Sequence, residues 1–164
     1  DEFDRAKEII QTAYRCQPSN PAVCYAMAEI YFTENEFDRA KECLGKTLKA
    51  EPDYLPARVL LYAIDMLSDR EIKGVQDFSR MVEKQQKIIE KSGNPFPYII
   101  LSCIYASKNQ KELSGVYLKK AEKISPDWKE MVVMLKNQKL AGLIKKLLKG
   151  KWNTEQTDRI KEKQ

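Results

Sequence analysis

The chain has 164 residues, of which 43% are hydrophobic and 32% charged, and a formal charge of +5. It holds 6 Gly, 7 Pro and no histidine, and its four cysteines (Cys16, Cys24, Cys43, Cys103) show no C-x-x-C spacing. That composition excludes a low-complexity chain, a histidine-dependent enzyme, a zinc finger and a secreted mini-protein stapled by disulfides.

No apolar run reaches the roughly 20 residues of a membrane-spanning helix, and no signal-peptide pattern opens the sequence. A reducing, cytoplasmic setting is the expectation, with the nucleus left open. The positive charge is local. Residues 129–164 carry ten basic and four acidic residues, so the remainder is close to neutral. The body of the chain therefore exerts no long-range pull on nucleic acid.

In chain order, the first feature is a duplication. Residues 2–8 read Glu-Phe-Asp-Arg-Ala-Lys-Glu, and residues 36–42 repeat those seven at an offset of 34. Across 1–20 and 35–54 the matches extend to Pro18 with Pro52. Within 1–20, Phe3, Ala6, Ile9, Ile10 and Ala13 follow helical spacing. A lone unit of this kind leaves half its apolar face uncovered.

A 34-residue period with a closing proline resembles the tetratricopeptide repeat, a helix–turn–helix unit. The resemblance implies an all-α helix-turn-helix solenoid wound as a right-handed superhelix. In its register, 1–20 is the second helix of a truncated repeat, and the chain is expected to be a fragment of a longer array. Residues 21–54 form a repeat with Cys24, Met27, Ala28 and Tyr31 in helix A, and Ala40, Leu44, Thr47 and Pro52 in helix B. Residues 95–128 form another, with Tyr98, Leu101, Ser102 and Tyr105, then Ser114, Leu118, Ala121 and Pro126.

Between them, 55–94 holds forty residues. Tyr62 stands where the repeat carries Gly, Gly74 where it carries Ala, and Asp65 where it carries Tyr. The register predicts a lengthened second helix, started by a capping box at Ser68-Asp69-Arg70-Glu71 and ended near Gly93. After Trp128 a basic amphipathic helix is expected over 129–150. It sets Val132, Leu135, Leu140, Leu143, Ile144, Leu147 and Leu148 against Lys136, Lys139, Lys145, Lys146 and Lys149. Capping the array is its expected role; binding RNA, calmodulin-like partners or an anionic membrane through those lysines is the alternative. Residues 151–164 read as a polar tail.

No phosphate-cradling loop, nucleophile elbow or metal-ligand cluster is present in the sequence, so no catalytic residue, metal or cofactor is expected, and the chain is read as a non-enzyme. The resemblance instead implies a concave groove lined by helices A, with Tyr25, Glu29, Phe32, Val59, Ala63, Met66, Phe96, Ile99 and Cys103 facing a partner. Only Glu29 among these is charged. The groove lacks the Lys, Asn and Arg with which related repeats clamp a terminal carboxylate, and it offers no cation to a phosphate backbone. The implied function is protein–protein scaffolding, with an apolar or amphipathic helix of a protein partner laid in the groove. Self-association with another copy as a homo-oligomer is a second reading. Nucleic acid is not expected in the groove, nor a membrane except through the basic C-terminal helix.

Overall fold

The structure is a computed structural model that describes residues 2–68 and 70–149. The polar tail expected over 151–164, Gly150, Asp69 of the expected capping box and the side chain of Phe3 lie outside the described residues. The described residues form ten helices and no strand, in two compact units, Asp1–Ser68 and Asp69–Gln164.

The first unit contains α1 (Glu2–Cys16), α2 (Pro21–Thr33), α3 (Phe37–Ala50) and α4 (Leu55–Leu67). Asn20 caps α2: its side-chain oxygen accepts from the amides of Ala22 and Val23, and Pro21 supplies the preset φ of a first helical residue. The α2–α3 hairpin is the most extensive pairing in this unit. It buries Cys24, Met27 and Ala28 from α2, with Ala40, Cys43, Leu44 and Thr47 from α3. Its turn is made by Asn35 at φ 61°, with Glu36 N–H donating to Tyr31 O at 2.8 Å. Helix α1 packs on α2, and Lys46 of α3 donates to the Tyr14 hydroxyl at 2.9 Å. Ile9 remains 70% exposed, as a helix with one partnered face leaves it.

The second unit contains α5 (Val75–Lys84), α6 (Gln86–Ser92), α7 (Phe96–Ser107), α8 (Lys111–Ile124), α9 (Trp128–Val133) and α10 (Gln138–Leu147). Its centre is α7, in which every residue from Pro97 to Tyr105 is buried. Helices α5, α8 and α10 pack around it. The α7–α8 turn repeats the α2–α3 turn: Asn109 has φ 58°, and Gln110 N–H donates to Tyr105 O at 2.9 Å. An asparagine at the same repeat position makes both turns because its short polar side chain tolerates the left-handed region.

Two expected elements differ from the structure. The lengthened second helix over 55–94 is two short helices, α5 and α6, that meet at Gln85. Its start is not a capping box: Ser68 closes α4 by donating to Ile64 O at 2.8 Å, and residues 70–74 are not helical. Gly74 precedes α5 at φ 66°, so it is a turn residue rather than a small residue inside the helix. The basic C-terminal helix is also divided. It stops at Val133, and α10 begins after Asn137, whose buried side chain accepts from Leu140 N–H at 3.1 Å.

Candidate functional site

In the first unit, Ala22, Tyr25, Ala26, Glu29 and Thr33 form one accessible stripe of α2 at helical spacing. The opposite face of the helix is in the core. Helix α4 contacts α2 and leaves Val59, Leu60 and Met66 partly accessible, while Leu55, Ala57, Tyr62 and Ile64 are buried. Two neighbouring helices A thus each present an apolar, half-exposed strip.

One polar cluster interrupts it. The Tyr25 hydroxyl donates to Glu29 Oε1 at 3.0 Å, one helical turn away. The ring of Tyr25 meets that of Tyr54, at the start of α4, edge to face with centroids 5.2 Å apart. Burial pushes the Glu29 carboxyl above the usual glutamate range, against the bond from Tyr25, which favours the ionised form. Burial first, and then the Glu29 charge, push both tyrosines up as well. The cluster is a carboxylate with two neutral phenols beside it.

The nine residues assigned to the groove do not share one environment. Tyr25, Val59, Met66 and Phe96 are half-buried and Glu29 is exposed, so these five retain surface for a partner. Ile99 and Cys103 are fully buried because α7 is enclosed by α5, α8 and α10. They are core residues, and burial raises the Cys103 thiol far above its ordinary value, which leaves it inert. Ala63 is 2% exposed; its methyl group is too short to emerge between Val59 and Met66, its neighbours one turn to either side. Phe32 is at 9% and tilts against Phe37 with centroids 6.0 Å apart, so it closes the hairpin base. Tyr54 was absent from the assignment because it precedes helix A. Its aromatic character next to Pro52 was the available signal.

The basic residues in and flanking α10 have a plain arrangement. Leu140, Ala141, Ile144 and Leu148 are buried, whereas Lys136, Lys139, Lys146 and Lys149 are exposed and Lys145 is half-buried. The apolar stripe of this helix is thus occupied by packing within its own unit. No described helix is long and apolar enough to cross a membrane. Among the described residues no group of three or more His, Cys, Asp or Glu is placed to hold a metal ion.

Compared with protein-family models, residues 1–63 and residues 97–127 each match a model described as Tetratricopeptide repeat. The first match spans the helices from α1 into α4, and the second the α7–α8 hairpin. Searches of curated proteins and of solved structures returned no match.

Proposed function

Because the chain belongs to the tetratricopeptide repeat family, whose members are generally non-enzymatic protein–protein interaction scaffolds, we propose that it binds an apolar, helical segment of a protein partner on the α2–α4 face of its first unit. The observation that carries the reading is the accessible strip of Tyr25, Val59 and Met66 on two adjoining helices whose other faces are already in the core. Each large apolar side chain taken fully from water contributes about 1.5–3 kcal/mol. Long, flexible and aromatic side chains of this kind suit a helix-in-groove mode of recognition.

The reading narrows the groove expected from sequence, since Ala63, Ile99 and Cys103 have no surface to offer. Four free cysteines, three of them buried, support a reducing cytoplasmic setting. The test is fluorescence anisotropy with a panel of labelled amphipathic helical peptides. Tyr25→Asp combined with Met66→Asp, verified as folded by circular dichroism, is predicted to weaken binding at least tenfold. Unchanged affinity in the folded double variant contradicts the proposal.

A further inference from the structure

Three carboxylates that reach across to another helix are neutralised inside the chain: Glu34 by Lys7, Asp65 by Lys41 and Glu83 by Lys120. Glu29 differs. Among the described residues its carboxylate meets the Tyr25 hydroxyl at 3.0 Å and no lysine or arginine. An exposed carboxylate held beside apolar neighbours by a neutral donor alone leaves its charge available to a cation brought by a partner.

The rings beside it add a second preference of the same sign. Tyr25 and Tyr54 stand edge to face at 79°, 5.2 Å between centroids, and the electron-rich face of an aromatic ring attracts a cation. A lysine or arginine brings a charged head on an apolar stem, which suits a lone charge among apolar neighbours. Charge and rings both select against an acidic visitor.

We infer that Glu29, with Tyr25 and Tyr54, forms the socket for one lysine or arginine side chain on the docking face of the partner helix. The inference rests on the peptide-binding reading above and adds to it the charge of one partner position. The partner is thus an apolar helix with a single basic residue where it crosses α2.

The test is a displayed library of amphipathic helical peptides in which one docking-face position is drawn from Lys, Arg, Gln, Glu and Leu. It is selected in parallel against the whole chain and its Glu29→Gln and Glu29→Lys variants. The wild-type chain is expected to enrich Lys or Arg at that position, and Glu29→Lys to enrich Glu there. The best basic peptide is expected to bind Glu29→Gln about tenfold more weakly, the loss typical of a hydrogen bond to a charged group. Peptides that are enriched without regard to charge at that position overturn the inference and leave the peptide-binding reading standing. Enrichment of no peptide on any form overturns both. Should Glu29→Lys fail to fold, equal affinity of the basic peptide for wild type and Glu29→Gln overturns the inference by itself.

Discussion

Asp65 stands in the position where the repeat pattern carries a tyrosine, and in the structure it pairs with Lys41 of α3 across the hairpin boundary. An ion pair stands where the repeat pattern carries an aromatic residue. The exchange was visible in the sequence as a departure, but its partner was not, because Lys41 is 24 residues away and one of many surface-type lysines. Asp65→Ala is predicted to lower stability by about 1 kcal/mol, at the upper end for exposed pairs because both side chains are mostly covered. Urea denaturation of the two single variants and the double variant measures the coupling. Glu29 gives the opposite case. Its folded carboxyl lies above the ordinary value, so between those two values the folded chain binds more protons than the unfolded one. Stability from this group is therefore present below the ordinary value and falls as pH rises through the raised one. Glu29→Gln is predicted to remove that part of the slope, seen as urea midpoints that diverge from wild type as pH rises above the ordinary glutamate value of about 4.3. A slope shared by both proteins contradicts it. The surface placement of Tyr25 and Glu29 was legible from their repeat positions. The burial of Ile99 and Cys103 was not, because position within a repeat does not say what packs over it.

Among elements, α10 separates most cleanly into a buried and an exposed face. Ile144 has no exposed surface, and truncation to alanine is predicted to cost about 2–5 kcal/mol, the range for a large-to-small change in a packed core. Lys146→Ala, on the exposed face, is predicted to stay within about 0.5 kcal/mol of wild type. Thermal or urea unfolding of the two variants distinguishes a helix held by its apolar stripe from one held by charge. The N-caps are a second measure. Asn20→Ala removes the acceptor for two amides at the start of α2 and is predicted to cost about 1 kcal/mol. The hairpins α2–α3 and α7–α8 were legible from the 34-residue offset, since small residues and aromatics recur at fixed places. The break between α9 and α10 and the division of α5 from α6 were not. Amphipathic spacing continues through both; Asn137 is a local signal for the first break, whereas Gln85, where α5 meets α6, carries none.

For the molecule as a whole, the lysine surplus and the α2–α4 face lie in different parts of the sequence. The surplus of lysine lies after residue 128, whereas the half-exposed apolar side chains Tyr25, Val59 and Met66 lie on α2 and α4; the most exposed large apolar residues, Ile9, Ile88, Leu113, Val116 and Met134, are scattered over other elements. Binding by the lysines would depend steeply on salt, because counterions are released from an anionic partner. The binding proposed for the α2–α4 face rests on apolar area and one carboxylate, so its affinity is predicted to change less than threefold between about 50 and 300 mM salt. The repeat family was legible from the sequence as a whole, and the general role of a protein-interaction module came with it. Which residues of the implied groove keep accessible surface was not legible, because that depends on which helix faces the fold itself consumes. The most direct test is an NMR titration of the isotope-labelled chain with the tightest apolar helical peptide from the selection. Resonances of Tyr25, Glu29, Val59 and Met66 are predicted to shift together and saturably. Shifts confined to α10, with α2 and α4 unperturbed at saturation, would contradict the account.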